Sequence, residues 1–88
     1  MTTENENRTT HRIIFYTKPG CHLCDDAREL IDALRPVYDI EVEDVNIIND
    51  PDLMHAYQYA IPVLWVDRRV TLKAPITPEA LRRALDGQ

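Results

Sequence analysis

Tyr16-Thr17-Lys18-Pro19-Gly20-Cys21-His22-Leu23-Cys24-Asp25-Asp26 contains both cysteines of the chain, three positions apart, and the rest of the chain reads as support for that pair. Just upstream, Arg12-Ile13-Ile14-Phe15-Tyr16 is an apolar, β-branched and aromatic run that predicts a buried strand. Lys18-Pro19-Gly20 predicts a turn. Downstream, Leu23, Ala27, Leu30, Ile31 and Leu34 recur at the spacing of one apolar stripe on an amphipathic helix. The two thiols therefore stand where a strand hands over to a helix.

That position suits a reactive thiol. The first turn of a helix leaves backbone N–H groups unpaired, and with the helix dipole these stabilise a negative charge placed there. Cys21 falls at about the N-cap, so its thiolate is favoured and its pKa is expected below that of a free cysteine. It is the expected nucleophile. Cys24 lies on the flank of the apolar stripe and is expected to be the more buried sulfur, the resolving thiol. Lys18 and His22 add positive or potentially positive groups beside Cys21. Asp25 and Asp26 favour the helix dipole but disfavour a second anion nearby. The plainer alternative is a pair of core cysteines that happen to be close, because free cysteine packs as a small hydrophobe. The strand-turn-helix context favours redox chemistry over that alternative.

Composition narrows the class of protein. At 88 residues the chain has the size of one small domain, read as a polar, disordered tail over 1–10 followed by one domain over 11–88. Two cysteines cannot build a disulfide-rich framework, and a single C-x-x-C reads as redox or metal chemistry in a reducing, cytoplasmic compartment. No stretch approaches the about 20 apolar residues of a membrane span, and the first ten residues lack the apolar core of a signal peptide. The net charge of −5, with no basic stripe, argues against nucleic acid or an anionic membrane as partner. A monomer is expected.

The remaining elements follow in order. The first helix is expected to end at Arg35, since a residue before proline is steered out of the α region. Ile40-Glu41-Val42-Glu43 alternates apolar with acidic and predicts a half-exposed strand, with Val45-Asn46-Ile47-Ile48 running on into a loop. Asp50-Pro51 opens a short helix as N-cap and first residue, with Leu53, Met54 and Tyr57 inward and His55 outward. Ile61-Pro62 leads into a buried strand, Val63-Leu64-Trp65-Val66. Asp67-Arg68-Arg69 turns the chain into Val70-Thr71-Leu72-Lys73, an antiparallel hairpin without glycine. Thr77-Pro78-Glu79 starts a last helix with Ala80, Leu81, Ala84 and Leu85 inward, and Gly87 stops it. The order is β-α-β-α-β-β-α: an α/β fold with a four-stranded mixed sheet flanked by three helices.

With C-x-x-C after the first strand and Ile61-Pro62-Val63 before the third, the chain from about Arg12 to Leu85 resembles the thioredoxin superfamily, and within it the small glutaredoxin-like proteins. Phe15 to Cys24 looks like the glutaredoxin active-site segment, with its lysine shortly before the first cysteine. The resemblance implies thiol-disulfide exchange and electron transport, with Cys21 attacking, Cys24 resolving and Lys18 meeting a glutathione carboxylate. It also implies a cis Pro62 beside the site and a backbone at Ile61 that pairs with the substrate chain. His22 joins Lys18, Ile61 and Pro62 as a candidate substrate contact. No bound cofactor and no metal are expected; glutathione is the implied reductant, and disulfide substrates with a thiol reductant system are the implied partners. Two departures stand out. His22-Leu23 occupies the place of the usual Pro-Tyr, and Lys73-Ala74-Pro75-Ile76-Thr77 stands where a Gly-Gly…Asp element usually grips the γ-glutamyl end of glutathione. Weak glutathione-dependent turnover follows as an expectation.

Two other classes compete. A metal-binding module or metallochaperone would use Cys21 and Cys24, with His22, on a soft ion such as Cu(I) or Zn²⁺, but His11, His22 and His55 are scattered and supply no second spaced ligand pair. An adapter that binds partners without turnover would have no need of intact cysteines.

Overall fold

The computed structural model describes residues 9–87. Its elements are β1 (Thr10–Thr17), α1 (His22–Leu34), β2 (Asp39–Asn46), a 3-10 turn (Ile47–Asn49), α2 (Pro51–Tyr57), β3 (Val63–Val66), β4 (Val70–Lys73) and α3 (Pro78–Asp86). The sheet order is β2-β1-β3-β4. β1 pairs parallel with β2 and antiparallel with β3, and β3 pairs antiparallel with β4. This is the expected β-α-β-α-β-β-α order with a mixed four-stranded sheet.

Of the stretch read as a tail, residues 1–8 lie outside the described residues. Thr10, its last residue, opens β1 opposite Asp39 and donates its hydroxyl to that carboxylate at 2.9 Å. A β-branched residue is at ease in a strand, and the pairing with β2 recruits it although no apolar signal marks it.

Most of the core lies on one face of the sheet. Ile13 and Phe15 of β1, Leu64 and Val66 of β3, Cys24, Ala27, Ile31 and Leu34 of α1, and Leu81, Ala84 and Leu85 of α3 form one buried cluster. The Arg28 guanidinium lies 4.6 Å from the Phe15 ring centroid and binds the Asp44 carboxylate at 3.1 Å, which fastens α1 to the edge strand β2. The opposite face is more open. Ile14, Tyr16 and Trp65 there are only half-buried, because α2 is seven residues long and buries none of its own side chains. The run Arg12–Tyr16 is thus buried on one side rather than on both.

Capping sets the helix limits. Asp50 accepts the Asp52 and Leu53 N–H groups ahead of α2, and Thr77 accepts that of Ala80 in α3. α1 stops at Leu34, with Arg35 as cap before Pro36. β2 is longer than its alternating segment: Val45 and Asn46 still belong to it, and the loop after them tightens into the 3-10 turn that buries Ile47 completely.

The hairpin between β3 and β4 turns without glycine. Asp67 and Arg68 both take positive φ, 54° and 56°, and the Arg69 N–H donates to the Val66 carbonyl at 3.0 Å, as a type I′ turn requires. Aspartate tolerates that region better than most residues. Its carboxylate is also held in place, accepting the Arg12 N–H at 2.9 Å and His11 Nδ1–H at 2.7 Å.

Candidate functional site

The site begins with a backbone choice. Gly20 has φ +78°, a conformation that L-residues with side chains adopt at a cost. It delivers Cys21 to the N-cap of α1 with extended angles, φ −95° and ψ 104°. There Cys21 Sγ accepts the N–H of Cys24 at 3.1 Å, and the Cys21 carbonyl accepts the N–H of Asp25 at 3.2 Å. The sulfur thus occupies the place that a serine or aspartate oxygen fills at an ordinary cap.

Cys24 stands one turn on, facing the core, and is 2% exposed, whereas Cys21 is half-buried. Their Cα atoms are 5.2 Å apart, inside the window of about 4.4 to 6.8 Å that a disulfide requires. Cys24 belongs to the apolar stripe itself, with Ala27, Ile31 and Leu34. Leu23 does not: it is 54% exposed. On the helical wheel it sits on the flank of the buried set.

The other residues singled out in the sequence differ in setting. Lys18 is half-buried in the turn before α1, and His22 is exposed at the first helical position. Ile61 and Pro62 are buried, and the Ile61–Pro62 peptide is cis, as is Ala74–Pro75. The Ile61 N–H already donates to the Tyr57 carbonyl at 3.1 Å, so what the backbone at Ile61 offers an extended chain is its carbonyl. His11 and His55 stand elsewhere, His11 on Asp67 and His55 exposed on α2. Among the described residues no group of three or more His, Cys, Asp or Glu side chains gathers into a metal-ligand set.

A groove of about 180 Å³ runs beside the first turn of α1. Leu23 and Asp26 form one wall, Pro62 the floor, and Ala74, Pro75 and Ile76 the other wall. The Ala74 N–H donates to the Ala60 carbonyl at 3.4 Å, tying the outer wall to the segment that carries Pro62. Periodicity could not reveal this groove, because its three walls come from distant parts of the chain and the spacing of Leu23 marks it as core. A second hollow of about 220 Å³ lies on the open sheet face, lined by Arg12, Ile14, Glu41, Trp65 and Arg68 among others. No cysteine, serine or threonine lines it, and Arg12 Nε lies 3.6 Å from Glu41 there.

Comparison with known proteins agrees with this geometry. Residues 12–86 match the family model described as Glutaredoxin-like domain (DUF836). The chain is similar to the glutaredoxin-like protein YDR286C homolog of Dictyostelium discoideum, 29% identical over 75 residues that cover 78% of this chain and 69% of that one. Among solved structures it is similar to target protein XcR50 from X. campestris, with 32% identity, TM-score 0.74, and coverage of 86% of this chain and 97% of that chain. An alkylhydroperoxide reductase chain from Enterococcus faecalis, at 20% identity and TM-score 0.68 over 90% of this chain and 39% of that one, shares the thioredoxin-like fold.

Proposed function

Given that this chain belongs to the glutaredoxin-like domain family, we propose that it is a thiol-disulfide oxidoreductase working through both cysteines. Cys21, as thiolate, attacks one sulfur of a substrate disulfide. That bond breaks, a Cys21–substrate disulfide forms, and the other half leaves as a thiolate that takes up a proton. Cys24 then gives up its own proton and attacks Cys21 Sγ, which releases the second half as a thiolate and leaves a Cys21–Cys24 disulfide. Two electrons pass from the dithiol to the substrate, and a thiol reductant such as glutathione or a small dithiol protein returns them.

One observation carries this reading: Cys21 Sγ sits at the N-cap accepting a backbone N–H, with Cys24 buried directly behind it. The cap position favours negative charge on the attacking sulfur. The buried position keeps Cys24 from competing for substrate while leaving it within reach of Cys21. Lys18 meets a carboxylate of the substrate, His22 lies along its path, and Pro62 with the Ile61 carbonyl lines the place where its chain runs. The single C-x-x-C suits a monomer in the reducing cytoplasm.

The test is stoichiometric. Reduced protein mixed with an excess of hydroxyethyl disulfide should lose two thiols per molecule, and a chelator should leave the rate unchanged. Retention of both thiols, or loss of reactivity with the chelator, would count against a dithiol exchange enzyme.

A further inference from the structure

The groove along the start of α1 has apolar side chains on both walls, with Leu23 on one side and Pro75 and Ile76 on the other, and Asp26 places a carboxylate among its lining side chains. No hydrogen bond or ion pair within the described residues occupies that carboxylate, whereas Asp32 and Asp44 are bound to Arg35 and Arg28. The half-exposed Leu23 and the proline-braced wall opposite offer contact to an apolar side chain along the helix turn that Cys21 caps. We propose that Asp26 is the charge filter of this groove: it admits a disulfide whose cysteine is flanked by an apolar or basic side chain and disfavours one whose flank is anionic. The substrate class is therefore a protein or peptide cystine in an apolar or basic context, rather than net-anionic glutathione. This rests on the dithiol reading of Cys21 and Cys24.

Asp26 is exposed, so the discrimination has the size of a solvent-exposed ion pair and weakens with salt. A ratio of rates isolates it, because two substrates meeting the same Cys21 cancel any change in the thiolate itself. The probes are the cystine dimers of two blocked tripeptides, Leu-Cys-Lys and Leu-Cys-Glu, with hydroxyethyl disulfide as the uncharged reference, each mixed with the fully reduced chain at low salt.

The lysine dimer should react about three- to fivefold faster than the glutamate dimer, in keeping with one exposed charge pair. Asp26→Asn should bring that ratio near one and Asp26→Lys should invert it. Asp25→Asn, which removes the same charge from the neighbouring residue outside the groove, should keep most of the preference. A ratio near one in the unaltered chain, or a ratio that follows Asp25 as closely as Asp26, would overturn the filter while leaving dithiol exchange intact. Failure to react with hydroxyethyl disulfide would overturn the reading of the site and the filter with it.

Discussion

Gly20 decides where Cys21 stands, and its role is purely conformational. A Cβ built there would meet nothing within 4 Å, so an alanine fits in space, yet φ +78° costs an L-residue about 1 to 2 kcal/mol. Gly20→Ala should therefore lower unfolding stability by about 1 kcal/mol while the fold persists, as read by urea denaturation. An unchanged midpoint would mean that Gly20 is free to leave the left-handed region. The sequence already pointed to much at this scale. The C-x-x-C spacing, the turn before it and the cap at Cys21 are local patterns, and the structure contains each of them. Leu23 was opaque, since its spacing matches the buried stripe although it stands on the flank of that stripe and is 54% exposed. Asp26 and Ile76 were opaque for a related reason: they are far apart in sequence and become neighbours only through the loop after β4.

At the scale of elements, α1 works as a lever arm that anchors Cys24 in the core. Ile31, 1% exposed, packs two turns behind the cysteine in the same cluster as Phe15 and Leu81. Ile31→Ala should cost about 2 to 5 kcal/mol, through lost transfer energy and an incompletely refilled cavity. Denaturant unfolding would measure it, and a loss under about 1 kcal/mol would show that α1 is held by its ends instead. Thr77→Ala, which removes the acceptor of the Ala80 N–H, should cost about 1 kcal/mol in the same measurement. Helix starts were easy to read because Asp50-Pro51 and Thr77-Pro78 carry their capping chemistry in the sequence. The extent of β2 was not, because pairing with β1 across eight positions extends it past its alternating core. The type I′ turn at Asp67-Arg68 shows no glycine, and its stability comes from contacts to His11 and Arg12, far away along the chain.

Those same contacts make the whole molecule sensitive to acid at the pole formed by the β3–β4 turn. Partial burial pushes the Asp67 carboxyl up, but the hydrogen bonds from His11 and the Arg12 N–H, with the charges of His11 and Arg69, outweigh it, and the net result is a pKa below the ordinary carboxylate value. A group whose pKa is depressed on folding adds stability above its unfolded pKa and loses it as pH falls through the folded one. Stability should thus drop below about pH 4, and Asp67→Asn should remove this part of the acid loss while lowering stability at neutral pH by about 1 kcal/mol. Thermal melts of both proteins from neutral pH down to about pH 2 would check it; parallel curves would refute the contribution. The larger plan of the molecule is one-sided, a sheet with most of its core against α1 and α3 and a more lightly covered second face, and it leaves Cys21, at the first turn of α1, half-buried. Everything proposed for that place rests on Cys21 being the sulfur that attacks. Cys24→Ser, reduced and mixed with one equivalent of a cystine peptide, should gain the mass of one half-peptide on Cys21 and keep it, while Cys21→Ser should gain nothing over the same time. A Cys24→Ser protein that stays unmodified while Cys21→Ser traps the peptide would contradict it.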